Sequence, residues 1–163
     1  VYNKGNEHFE GNSAMQSIHN YQHILAPVDG SKESEAAFAT AVEIVNNTPS
    51  RHLYILNVVD TNKLKDAAHY SHELEENAIA QSKALLERFA TEAKQAGVTN
   101  LTVISETGNP KNIIAKVIPA QYDIDLIVIG ATGMNAVERL MQGSVTEFVS
   151  RTSRVNTFIV HAD

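Results

Sequence analysis

Five short, nearly unbroken apolar runs separated by segments of helical period constrain this chain more than any other feature. The runs are His23–Val28, Leu53–Val59, Leu101–Ile104, Asp125–Ile129 and Thr157–Val160. Strands that are apolar on both faces must be covered on both faces, and the intervening segments supply the cover. Ser31 is a good N-cap for an alanine-rich helix that buries Ala36 or Ala37, Ala41, Ile44 and Val45 and stops near Asn46-Asn47-Thr48-Pro49. Thr61 to Tyr70 reads as a connection. A long helix spans Ser71 to Gln95, with Leu74, Ala78, Leu85, Phe89 and Ala93 along its inner stripe and Gly97 as its C-cap. Gly108-Asn109-Pro110 opens a further helix to about Ala120, with Ile113, Ile114 and Val117 on one face. The expected fold is α/β: a doubly wound parallel sheet with helices on both faces.

The 163 residues make one domain the natural expectation. Residues 1 to 20 are polar and aperiodic, either an artificial leader ahead of a start at Met15 or a native tail; the domain proper is expected over 21–163. With no cysteine, neither disulfides nor thiolate metal sites contribute. The formal charge is −6 and the basic residues are scattered, which argues against a nucleic-acid face. No apolar stretch approaches the roughly 18 residues of a membrane span. The expectation is a cytoplasmic protein.

Chemistry concentrates after the fourth strand. Gly130-Ala131-Thr132-Gly133 is followed by nine residues and then Gly143-Ser144-Val145-Thr146, which lead into a helical run to Arg151. A strand, a glycine-rich loop and a helix N-terminus together form a phosphate site: glycines let the backbone approach an anion, and the first helical turn offers unpaired N–H groups. No lysine follows in the position of a Walker A loop, and the glycines are too far apart for a dinucleotide fingerprint. The plainer reading of Ser144 is an N-cap, and the two roles are compatible. In open parallel sheets ligands sit beyond the carboxyl ends of strands where the strand order reverses. Asp29 ends the first strand and would meet Gly130 there if strands one and four are neighbours. It could serve a ligand there or simply serve its turn. His69, His72, Glu73 and Glu76 share one helical face, which reads as solvated rather than metal-binding. Arg139 could reach a phosphate, but an ion pair with Glu138 or Glu147 is the simpler role.

The Gly130-x2-Gly133-x9-Gly143-Ser144 spacing resembles the nucleotide-binding loop of the universal stress protein family, ATP-binding branch. The likeness extends over residues 21–163 through Ile24-Leu25-Ala26-Pro27-Val28-Asp29-Gly30-Ser31, Asn57-Val58-Val59-Asp60, Gly108-Asn109-Pro110 and Val155–Val160. It implies a five-stranded sheet in the order 3-2-1-4-5 and a homodimer through the last strand, Val155–His161. That strand would otherwise be an apolar edge. It implies ATP with magnesium as ligand: Ala26, Pro27, Val28 and Asp29 near base and ribose, and Val58 presenting backbone groups to the adenine. Gly130, Thr132, Gly133, Gly143, Ser144, Val145 and Thr146 would lie around the phosphates. Thr132 stands where many members carry His or Arg, so a neutral donor replaces a charge; Asn57 stands where many carry His. Phosphoryl transfer needs a metal, a group that positions water and positive charge on the phosphoryl. The sequence shows no P-loop lysine and no basic cluster. The resemblance therefore implies a stress-response regulator that binds ATP, works with an unnamed protein partner and hydrolyses slowly at most. A weak magnesium-dependent ATPase or phosphotransferase, and a nucleotide-free dimeric scaffold, are the alternatives.

Overall fold

A computed structural model describes residues 20–133 and 142–163 of the chain. Met15, Glu138 and Arg139 lie outside the described residues. The strands are β1 (His23–Pro27), β2 (His52–Val59), β3 (Leu101–Thr107), β4 (Leu126–Gly130) and β5 (Asn156–Val160). The helices are α1 (Lys32–Asn46), α2 (Thr61–Lys65), α3 (His72–Gln95), the composite α4 (Pro110–Asn112, Ile113–Val117 and Ile118–Gln121) and α5 (Ser144–Thr152). All pairings are parallel and the order is β3-β2-β1-β4-β5, the expected 3-2-1-4-5.

Successive strand residues point to opposite faces, so each apolar strand feeds two cores. Ile24, Ala26, Leu53, Ile55, Leu126 and Val128 face Ala37, Phe38, Ala41 and Val45 of α1 and Leu86, Phe89 and Ala93 of α3. Leu25, Leu56, Ile104, Ile127 and Ile129 face Ile113, Ile114 and Ile118 of α4 and Val149 of α5. Of the expected Ala36 or Ala37, Ala37 is the buried one, and on α3 the fully buried leucine is Leu86, one residue beyond the expected Leu85. Leu85, Ile44, Leu74 and Ala78 are half-buried.

The caps follow the local chemistry. The Ser31 hydroxyl accepts from Ser34 N at 3.1 Å. Gly97 takes φ +97°, and Val98 N–H returns to Ala93 O at 3.0 Å, closing α3 with a left-handed residue. Two elements depart from expectation. The connection after β2 contains α2, nucleated because Asp60 Oδ1 accepts from Asn62 N (3.1 Å) and Lys63 N (3.2 Å). The middle of α4 is π-helical. Pro119 has no N–H for Ala115 O, and Ile118 N–H instead bonds Ile113 O five residues back.

Two polar clusters hold the amino ends of the strands. Arg51 is 2% exposed; its guanidinium donates to Tyr21 O at 3.0 Å and to Ile44 O, tying the entry of β1 to the last turn of α1. Paired across β1 and β2, His23 and His52 both pack on Tyr54, with centroids 5.8 and 4.4 Å away. His23 Nδ1 lies 3.0 Å from Tyr122 O, and His52 Nε2 lies 2.7 Å from Thr102 Oγ1. Burial, and then the neighbouring His23, hold the His52 imidazole below its usual pKa.

Two outcomes follow. Arg51→Met leaves two part-buried carbonyls without this donor and should cost about 2–4 kcal/mol in urea unfolding. A histidine with depressed folded pKa gives stability that is complete above the unfolded value of 6.5 and lost as pH falls from there through the folded pKa. Unfolding free energy should therefore fall on acidification below pH 6.5, and His52→Gln should flatten that slope.

Candidate functional site

β1 is flanked by β2 on one side and β4 on the other, so the strand order reverses at its carboxyl end. A cavity of about 640 Å³ opens there, within the range of small-molecule sites. Its walls come from the exit of β1 (Pro27, Val28, Asp29), the end of β2 (Asn57, Val58), the start of α4 (Pro110, Ile114), the exit of β4 (Gly130, Thr132, Gly133) and the start of α5 (Gly143, Ser144, Val145, Thr146). Every residue singled out for the site lines this cavity except Ala26, which is fully buried in the core beneath it. Ser34, Lys63 and Gln142, and Asp60 from the resemblance motif, also line the cavity beyond the expected site residues. Asp60 belongs to the Asn57–Asp60 stretch of the family resemblance, but with Thr61 to Tyr70 expected to be a connection neither its capping role nor the place of Lys63 follows from the sequence; an aspartate ahead of Thr61 is the signal for that cap.

The glycines are needed for different reasons. A Cβ on Gly130 would sit 2.7 Å from the Glu33 carbonyl carbon, so β4 approaches the first turn of α1 only with glycine there. A Cβ on Gly133 would lie 2.8 Å from Asp29 Oδ2, and one on Gly143 3.2 Å from Thr132 Cα. The Gly143 N–H is already engaged, donating to Ala131 O at 2.8 Å. The buried Thr146 hydroxyl donates to Gly130 O at 2.7 Å. Gly143, not Ser144, is the N-cap of α5: Ser144 is the first helical residue and makes no capping bond. The cap reading of Ser144 is thereby corrected, because extended backbone at Gly143 starts the helix one residue earlier. Glu147 N–H closes the first turn on Gly143 O at 2.9 Å. The amides of Ser144, Val145 and Thr146 therefore have no acceptor within the helix, at its positive end.

Opposite these amides, Asp29 Oδ1 accepts from Ser31 N at 2.9 Å, which sets the carboxylate at the mouth of β1. Asn57 Nδ2 donates to Val28 O at 2.6 Å and stitches β2 to the same turn. Among the described lining residues the charged side chains are Asp29, Asp60 and Lys63. Elsewhere, His72 Nε2 lies 3.5 Å from Glu76 Oε1 on an exposed face of α3. Among the described residues no group of three or more His, Asp or Glu is placed to hold a metal, and no helix is long and apolar enough to cross a membrane.

This crevice and sheet order define an open, doubly wound α/β domain with a cleft at the carboxyl edge of its sheet. The model of the universal stress protein family matches residues 20–161, and the chain belongs to that family. A putative universal stress protein of Staphylococcus haemolyticus is 36% identical over 143 residues, covering 88% of this chain and 86% of the relative. The solved universal stress protein UspA from Lactobacillus plantarum is 31% identical with a TM-score of 0.71, over 86% of this chain and 97% of its own. A universal stress protein solved in complex with cAMP shares the fold at 24% identity and a TM-score of 0.66, over 88% and 98%.

The glycine contacts separate packing from ligand approach. Gly130→Ala meets backbone and should lower stability by about 1–3 kcal/mol in thermal or urea unfolding. Gly133→Ala meets only a side-chain carboxylate and should stay within about 1 kcal/mol of the unaltered chain.

Proposed function

We propose that this crevice binds ATP with magnesium, and that the chain is a cytoplasmic, homodimeric regulator whose state follows nucleotide occupancy. The observation that carries this reading is the first turn of α5, whose three amides without helical acceptors line a cavity floored by glycines. Phosphate oxygens are the natural acceptors for such amides. On this reading the Ser144, Val145 and Thr146 amides hold the phosphates, with Gly130, Thr132, Gly133 and Gly143 around them. Val58 presents backbone to the base. Asp29 takes a ribose hydroxyl or the magnesium ion. The cAMP of the solved relative offers a single phosphate, so it should gain less than a triphosphate from the same amides.

The dimer is proposed through Val155–His161. β5 pairs only with β4 among the described strands, and its Phe158 is 46% exposed, an apolar edge that a second copy would cover. The Asp29 carboxylate beside Gly133 favours a second reading, slow magnesium-dependent hydrolysis. ADP release that falls in Asp29→Ala would support it.

At about 100 times its Kd, Mg-ATP should stabilise the protein by about 2.7 kcal/mol; adenosine at equal concentration should give far less. Ser144→Pro tests the amides directly. Proline is favoured at the first helical position and removes one N–H. The extended backbone of Gly143 (φ −62°, ψ 150°) accommodates it. ATP affinity should drop about tenfold, the worth of one charge-assisted hydrogen bond. Circular dichroism and Tm should stay unchanged, with Ser144→Ala as control for the hydroxyl. Unaltered affinity in Ser144→Pro would refute the assignment of that amide.

A further inference from the structure

We propose that Lys63 is the side-chain cation of the crevice and sets its preference for a polyphosphate over an uncharged nucleoside. The proposal rests on the nucleotide reading above. α2 leaves β2 and α5 follows β4, with β1 between those strands. Lys63 and the first turn of α5 therefore flank the carboxyl end of β1 from two sides, and both line the cavity.

The local structure makes Lys63 available. Asp60 caps α2 and accepts the Lys63 main-chain N–H at 3.2 Å, fixing where the side chain begins. The Lys63 ammonium forms no ion pair among the described residues; the basic partners of the ion pairs found there are His72, Arg88 and Arg151. Lys63 is exposed at the cavity rim, on a flexible stem that lets a compact charge follow an anion.

Charge balance gives that ammonium a role. Asp29 and Asp60 bring two negative charges to the described lining, and Lys63 brings the one positive charge. A triphosphate entering beside two carboxylates is repelled by both, except where its magnesium ion stands between them. The helix end offers only about half an elementary charge in compensation. Lys63 adds a whole one, from the wall opposite α5.

The test is calorimetric titration of the full chain with Mg-ATP, adenosine and inorganic tripolyphosphate at low and physiological salt. Lys63→Gln should weaken Mg-ATP about five- to tenfold, as for loss of one exposed charge-assisted bond. It should weaken tripolyphosphate in parallel, leave adenosine unchanged and flatten the salt dependence. Lys63→Arg should restore most of the affinity. Unchanged Mg-ATP affinity in Lys63→Gln would overturn the proposal. So would an equal loss for adenosine, which would place Lys63 against the base or in the wall itself. If the unaltered chain bound no ATP, the nucleotide reading would fall and this proposal with it, a result distinct from either outcome in the variant.

Discussion

The close approach of β4 to the first turn of α1 is the contact on which the crevice depends. Gly130 leaves no room for a side chain against Glu33. The chain beyond it is held by main-chain bonds: Ala131 N–H to Val160 O, and Gly143 N–H back to Ala131 O, both at 2.8 Å. The Thr146 hydroxyl closes the arrangement by donating to Gly130 O. These bonds consume the polar groups that would otherwise compete for a ligand. They leave the first amides of α5 oriented over the carboxyl end of the sheet. On the proposed reading, packing and anion recognition are coupled through one strand exit.

The rest of the fold serves that placement. Parallel strands buried on both faces need a crossover helix for each step, and the reversal of order at β1 opens a gap that no crossover fills. The two cores are apolar and closely packed. Among the described residues no buried side-chain polar atom lacks a partner. Polar groups enter the interior where they join elements: Arg51 below the sheet, and Asn57 and Thr146 above it. The amino end of the sheet carries histidines and tyrosines, while the carboxyl end carries glycines, Asp29 and amides that have no acceptor within their helix. One end is tied together by side chains, and the other opens into the cavity.

Much of this was legible in the sequence because parallel strands announce themselves as apolar runs and glycine-rich exits announce close approach. The parallel sheet followed from that pattern; the strand order came from the family resemblance alone, and the convergence of the β1 and β4 exits was conditional on β1 and β4 being neighbours. What escaped has physical causes. A one-residue shift on α3 moved burial from Leu85 to Leu86, since a stripe defined by period alone is about one residue wide. The π turn of α4 arises from the missing N–H of Pro119, an effect on hydrogen-bond register that side-chain periodicity does not report. α2 is only five residues long and rests on a single aspartate cap, so it lacked any hydrophobic period to reveal it. That omission hid Lys63. The division of labour among the glycines was equally invisible: Gly130 answers to Glu33, Gly133 to Asp29 and Gly143 to Thr132, all contacts made across the fold.

The most direct test of the central claim is a 15N-labelled amide spectrum recorded through a titration with Mg-ATP. The account predicts saturable shifts of the Ser144, Val145 and Thr146 amides, with Gly133 following and the Arg51 and His52 end of the sheet unmoved. Amides of the first α5 turn that stay in place at saturating ATP, while others shift or none do, would contradict it.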